Sequence, residues 1–380
     1  MIEHIETHTD RKHLQSCIEL AQKGDRAVFP NPFVGAVLAR GEQLLAQGYH
    51  IKYGSDHAEV EALRAFGNEE TVPPDATLYV NLEPCCHHGK TPPCTELIIQ
   101  RGIRRVVIGA LDPNPIVGGK GVQYLRSNGV DVIEAADPSP FRILNCRFYT
   151  FHQLRRPYVI LKWAETADGF LARSDNTSRW ISSESSRDLV HKWRNEEASI
   201  LVGTKTVMID NPQLTVRGRQ STLVPPLRIV LDRSGVISRA ARVFDDSAPT
   251  MVITEVEDLK VFPQHVKVVK VSSLDDIKGV LNVLRDQGII SVIIEGGSLL
   301  LQSFLQSGYW DEIRRFKCPL EFKAGIPAPL LINLPASQHN TEKKFGCREQ
   351  LYIDRKDGEG IDLCQTLVNP TTLNFLGGES

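Results

Sequence analysis

The residues best suited to chemistry are His57-Ala58-Glu59 and, further along, Pro84-Cys85-Cys86-His87-His88-Gly89-Lys90-Thr91-Pro92-Pro93-Cys94. One imidazole with two thiolates is a borderline-to-soft donor set that suits four-coordinate zinc and leaves one position for water. An open position of that kind is a catalytic arrangement. Bound zinc brings its water toward a neutral pKa, and Glu59, two residues beyond His57, is placed to take that proton and pass it to a leaving amine. The PC-x8-C spacing works if Pro92-Pro93 stiffens the return and Cys94 opens a helix, whose dipole favours a thiolate. Cys86 competes for a ligand role, and His87 or His88 would supply a fourth protein ligand if the site were only structural. Singly, His57 is an ordinary helix residue and Glu59 a solvated one; together, at strand and helix ends, they point to a catalytic metal.

These residues need elements to hold them. Residues 11 to 23 carry apolar side chains at helical intervals (Leu14, Cys17, Ile18, Leu20, Ala21) and stop at Lys23-Gly24. After a PNPF loop, the pattern predicts strands over 34–38 and 44–46 around Arg40-Gly41-Glu42, a helix over 57–66 and a strand over 77–81. The cysteine loop follows, then a helix over 93–100, a strand over 105–108 and a helix over 122–127. This alternation implies a layered α/β domain, assigned to residues 1–150. A boundary is expected near 145–157, and residues 151–380 form a second α/β domain starting with the strand YVILKWA. There the expected elements are helices over 185–195 and 274–287 and strands over 199–202, 227–231, 250–253 and 290–294. Gly296 and Gly297 follow the last of these, where a backbone can approach a ligand closely and a helix from Ser298 can offer N–H groups to a dinucleotide phosphate. This is not the Rossmann fingerprint.

At 380 residues the chain suits two domains. Its 44 basic and 46 acidic residues form no long run of one sign, which argues against a nucleic-acid or anionic-membrane partner and for small molecules. Eight cysteines, scattered apart from one cluster, are not the framework of a small secreted domain. With no apolar signal core and no membrane-length apolar run, a soluble cytoplasmic protein is expected.

An H-x-E segment followed by a P-C…C segment is the mark of zinc deaminases. With these motifs the chain closely resembles the bifunctional riboflavin-biosynthesis deaminase-reductases, from about residue 12 to about residue 331. The resemblance implies a cytidine-deaminase-like three-layer domain that removes an amine from diaminohydroxyphosphoribosylaminopyrimidine. It implies one Zn2+ per chain on His57, Cys85 and Cys94, with Glu59 as proton shuttle. The family's substrate contacts fall on Asn31, His50, His87, Lys90, Asp112 and Asn114. Cys86 stands where the family generally has serine, which bears on hydrogen bonding near the metal and opens a route to oxidation or alternate ligation.

The segments PYVILKWAETADGFLA, Ser178-Arg179-Trp180-Ile181-Ser182, ILVGTKTVMIDNPQLTVR and IIEGGSLLLQSF resemble the family's reductase, which has a dihydrofolate-reductase-like fold. The implied reaction is hydride transfer from NADPH that opens the ribose into a ribityl chain. Implied cofactor contacts are Ala164, Trp180, Thr206, Asp210, Gly297, Ser298, Leu299, Leu300, Leu301, Gln302 and Ser303. Implied substrate contacts are Lys162, Ser178, Arg194, Leu214, Arg217 and Glu295, with the two arginines as the type expected to clamp a ribose phosphate. A Gly-Gly turn expected after the strand beyond Asp311-Glu312 is missing, and past about Ile332 the family pattern fades into a tail expected to be partly disordered. A homodimer or homotetramer is implied. The rival readings are a deaminase of another nucleobase or nucleoside with an inactive companion domain, and a non-catalytic zinc-stabilised binding protein.

Overall fold

Alternating apolar side chains on short strands set the layering of the first part of the chain. The computed structural model describes residues 6–67, 71–89, 91–175, 181–217, 224–257, 262–331, 341–345 and 349–355. The chain divides into one unit that runs through Leu154 and a second from Arg155. The first contains α1 (His8–Ala21), β1 (Gly35–Arg40), β2 (Gln43–Tyr49), α2 (Ala58–Phe66), β3 (Thr77–Val80), α3 (Cys94–Gln100), β4 (Arg105–Ile108), α4 (Lys120–Ser127), β5 (Asp131–Glu134), α5 (Ser139–Leu144) and α6 (Cys146–Gln153).

Its sheet has the order β2-β1-β3-β4-β5. The pairs β1–β2 and β1–β3 are antiparallel, and β3, β4 and β5 run parallel. Leu38, Leu78, Val80, Val106 and Ile108 face Leu63, Ile98 and Leu125 of α2, α3 and α4. Their neighbours Val37, Tyr79, Val107 and Ile133 face Leu14, Ile18, Phe141 and Tyr149 on the other side. This period-two division makes three layers. The division after Leu154 falls inside the stretch 145–157 where a boundary was expected, and α6 fills 146–153 of that stretch with Phe148 and Tyr149 buried in the core.

The second unit contains β6 (Tyr158–Thr166), β7 (Phe170–Ala172), α7 (Glu184–Glu196), β8 (Ser199–Gly203), α8 (Thr204–Asp210), β9 (Leu227–Leu231), β10 (Thr250–Thr254), β11 (Val266–Lys270), α9 (Ile277–Asp286), β12 (Ser291–Glu295), α10 (Ser298–Ser307), β13 (Glu312–Cys318), β14 (Ile326–Pro327), β15 (Thr341–Phe345) and β16 (Glu349–Arg355). A nine-stranded sheet has the order β11-β10-β9-β8-β12-β6-β13-β16-β15. It is parallel from β11 to β13, and β16 and β15 add antiparallel pairs. Because β12 inserts between β8 and β6, the chain leaves the carboxyl ends of these strands in different directions. Ligands bind at such a switch point in open α/β sheets.

Two segments of the tail beyond Ile332, residues 341–345 and 349–355, are among those described. Residues 349–355 form a strand, paired with β13 from Glu312↔Arg355 to Lys317↔Gln350, with Leu351 and Ile353 buried. Glu349 also accepts from the backbone N–H and the hydroxyl of Ser183, the N-cap of α7, so the tail pins the start of that helix. Where a Gly-Gly turn was expected, Lys323 itself takes φ 61°, and the Asp168 carboxylate accepts from the Phe322 and Lys323 N–H groups. A carboxylate clamp thus supplies what glycine would have supplied by conformational freedom. Among the described residues no helix is long and apolar enough to cross a membrane.

Candidate active sites

In the first unit three donors meet where two helices begin. His57 is the N-cap of α2 and Cys94 is the first residue of α3, while Cys85 lies in the loop after β3. His57 Nδ1 is 3.5 Å from Cys85 Sγ and 3.3 Å from Cys94 Sγ, and the three ligand atoms all lie within 4.8 Å of one another. Zinc with Zn–N of about 2.0 Å and Zn–S of about 2.3 Å in a tetrahedron puts its ligand atoms roughly 3.5 to 3.8 Å apart, so the group fits. The Cys94 N–H donates to Cys85 Sγ at 3.4 Å, a helix-end donor on a sulfur that must be a thiolate to ligate. The hydrogen bond to Cys85, opposed by burial, draws His57 up to about 9. Glu59, in the first turn of α2, is buried; that burial pushes its carboxyl upward, with the His57 charge opposing.

Around this group, His50 donates from Nδ1 to the Asp56 carbonyl at 2.9 Å, which leaves Nε2 to accept from Asn31 Nδ2 at 3.1 Å. The His50 ring meets the His57 ring edge-on at 5.5 Å, and burial lowers the His50 pKa, which keeps it neutral. Asn31 sits in a loop clamped by two asparagines: Asn81 and Asn145 each donate to the Phe33 carbonyl at 3.0 Å, and Asn145 also accepts from the Phe33 N–H. Burial raises Asp112 to about 7, against the Asn114 N–H that donates to it, with Glu83 and Cys85 adding to the rise. Asn114 turns its side-chain oxygen to the Ile116 N–H within its own loop. His87 Nδ1 is buried without a hydrogen-bond partner among the described residues. Lys90 lies outside the described residues.

Glu83 carries no motif signature, yet it organises the far wall. Its carboxylate accepts from the backbone N–H groups of Asp112, Gly119 and Val122 at 3.1, 2.9 and 3.1 Å, tying the Asp112 loop and the start of α4 to the residue two before Cys85. Three amide donors on one buried carboxylate could not be foreseen from residue spacing.

The second site gathers around Glu295, the last residue of β12, and Lys162, its register partner in the middle of β6. Arg194 of α7 grips Glu295 with two bonds, Nε to Oε1 at 2.7 Å and Nη2 to Oε2 at 2.8 Å, and Lys162 Nζ is 3.9 Å from Oε2. Burial would raise Glu295, but the Arg194 and Lys162 charges overcome it and hold the carboxyl at about 2. Burial, with Arg194 adding to it, lowers Lys162. Ala164 is two residues beyond Lys162 on β6. Thr206 accepts the Gly297 N–H at 3.0 Å, and a Cβ on Gly296, whose φ is 155°, would come within 2.6 Å of the Thr206 hydroxyl. Asp210 ends α8 and is exposed. Leu214 is buried at φ 53°, and Arg217 is exposed, its N–H donating to His191 Nδ1 at 3.3 Å.

On α10, Gly297 is the N-cap, with Ser298 half-buried and Leu299 exposed. Leu301 turns fully into the core and Leu300 packs against it. Gln302 accepts from the Leu330 N–H, and Ser303 donates to the Leu299 carbonyl. Ser178 and Trp180 lie outside the described residues.

Comparison with known proteins matches residues 7–110 to the cytidine and deoxycytidylate deaminase zinc-binding region and residues 157–322 to the RibD C-terminal domain. Riboflavin biosynthesis protein RibD of Aquifex aeolicus is 42% identical over 83% of this chain and 89% of its own length. The RibD of Escherichia coli is 34% identical over 94% and 99%. Among solved structures, the Thermotoga maritima diaminohydroxyphosphoribosylaminopyrimidine deaminase/5-amino-6-(5-phosphoribosylamino)uracil reductase superposes with a TM-score of 0.82 at 38% identity, covering 92% of this chain and 99% of that one. Acinetobacter baumannii RibD gives 0.80 at 32%, covering 91% and 98%.

Proposed function

Since the chain belongs to the RibD family, the bifunctional deaminase/reductases of riboflavin biosynthesis, we propose that its first unit deaminates 2,5-diamino-6-(5-phosphoribosylamino)pyrimidin-4(3H)-one and its second reduces the product's ribosyl chain with NADPH. The observation that carries the first half is the convergence of His57 Nδ1 with the Cys85 and Cys94 sulfurs beside buried Glu59. These three residues hold one zinc per chain, which when bound supplies a Lewis-acidic position that acidifies a water. Glu59, whose burial raises its affinity for a proton, takes that proton and returns it to the leaving amine. The Asn31 amide and the neutral His50 imidazole read the pyrimidine edge. Asp112, whose carboxyl burial raises to about 7, joins them as a substrate contact from the loop tied to Glu83.

In the second unit a bound nicotinamide supplies the hydride. Lys162, held beside Glu295 and Arg194, presents its ammonium to the opening sugar, and Arg217 meets the phosphate. Thr206 and Gly297 shape the backbone at the start of α10 for the dinucleotide. The readings with an inactive companion domain or without catalysis are not favoured, because family matches cover both units.

The test is an assay of purified, zinc-loaded protein that follows ammonia release and NADPH oxidation separately. If neither occurs, the proposal fails. Glu59→Gln is expected to stop ammonia release while zinc content persists; loss of metal in that variant would make Glu59 structural.

A further inference from the structure

The exposed guanidinium of Arg217 is braced by a residue that the functional reading does not use. Gln213 Oε1 accepts from Arg217 Nη2 at 3.5 Å and from Arg242 Nη2 at 3.3 Å, while Gln213 Nε2 donates to Asp245 Oδ2 at 2.9 Å. Chemistry fixes the amide's orientation: guanidinium groups only donate and a carboxylate only accepts, so one of the two flips satisfies all three neighbours. Asp245 is anchored in turn, its Oδ1 accepting from Arg228 Nη1 at 2.7 Å. Arg228 is wholly buried and also donates to Thr250 Oγ1 at 2.8 Å, to the Ala248 and Asp245 carbonyls, and to the Gln213 carbonyl at 3.2 Å.

The loop between α8 and Arg217 needs such bracing. Asn211 and Leu214 take φ 40° and 53°, and a left-handed leucine persists only where its surroundings over-determine it. The Arg242 N–H holds Asn211 Oδ1 at 2.9 Å, and His191 holds the Arg217 N–H. Both flanks of the strained residue are therefore tied to the β9–β10 segment and to α7.

We propose that Gln213, backed by Asp245 and Arg228, is a positioning residue of the reductase reaction that aims Arg217 at the phosphate of the ribosyl phosphate substrate. This rests on the reading of the second unit as the reductase. In Gln213→Glu the donor to Asp245 is lost and two carboxylates face each other. Reductase KM is then expected to rise about tenfold, with kcat within about twofold. In the double variant Gln213→Glu/Asp245→Asn the hydrogen bond re-forms with reversed polarity and an oxygen again faces Arg217, so KM returns to within about threefold of the parent.

Ammonia release by the first unit and near-UV circular dichroism are expected to match the parent in both variants. Ribose 5-phosphate affinity, measured by calorimetry, is expected to follow the same order as KM. A single variant with unchanged KM, one that loses kcat instead, or a double variant no better than the single overturns the proposal. Should Gln213→Glu not fold, Gln213→Met, which keeps the length and removes all three of these hydrogen bonds, carries the same expectation. A parent protein that binds ribose 5-phosphate in this order but oxidises no NADPH would defeat the reductase reading and leave the positioning role standing.

Discussion

Arg194 shows how a residue's type can be legible while its partner is not. An arginine at that place is the right chemistry for a phosphate, yet its fork is closed on Glu295, 101 positions away, at 2.7 and 2.8 Å. No periodicity links the two. Lys162 completes a buried cluster in which two cations share one carboxylate, and the sign of its pH dependence follows. Glu295 is held at about 2, below its ordinary value near 4.3, so its contribution to stability is complete above that ordinary value. It is lost as pH falls toward 2. Acid unfolding of the second unit is expected to lose this pH sensitivity between about 5 and 2 in Glu295→Gln. At neutral pH the same variant leaves Lys162 and Arg194 without a counter-charge and is expected to cost about 3 kcal/mol in urea unfolding, along with reductase turnover. A variant as stable as the parent would mean that the cluster is solvated. The grouping of His57, Cys85 and Cys94, in contrast, was readable residue by residue, because metal-ligand chemistry restricts the residue types and two of the three stand at helix starts.

Elements were legible where the pattern was long or the punctuation strong. The hairpin of β1 and β2 turns at Gly41 with φ 56°, as its glycine implies, and α2 and α3 begin within one residue of expectation. α1 starts earlier than its apolar stripe, because a Thr7/Asp10 capping box satisfies its first amides. The short α5, α6 and α8 went unread: each is 6 to 8 residues and is held by packing more than by its own pattern. Gly121 also gave no signal, yet α4 depends on it. A Cβ there would lie 2.2 Å from the Pro84 carbonyl and 3.1 Å from Glu83 Oε1. Gly121→Ala must push α4 away from the residue preceding Cys85. It is expected to weaken zinc binding about 10-fold or more in competition with a chromophoric chelator, while leaving NADPH oxidation intact. Unchanged affinity would show that the cysteine loop does not depend on α4.

At the scale of the whole molecule, each unit has its own sheet, core and site, and the two activities should separate under a metal challenge. Dialysis against a strong chelator is expected to abolish ammonia release and to leave reduction of the deaminated substrate within about twofold. A parallel loss of both would tie the reductase to the metal. The order of strands in the second sheet also bears on how the protein is made. β6 and β8 emerge from the ribosome long before β12, but in the finished sheet they touch only through it, in the order β8-β12-β6. Until residues 291–295 are synthesised, the apolar run Tyr158-Val159-Ile160-Leu161 has no strand partner on either side, since β13 comes later still. Its nascent chain therefore carries this apolar strand without its native partners for more than a hundred residues of elongation, and an unpaired apolar strand of that kind is open to aggregation.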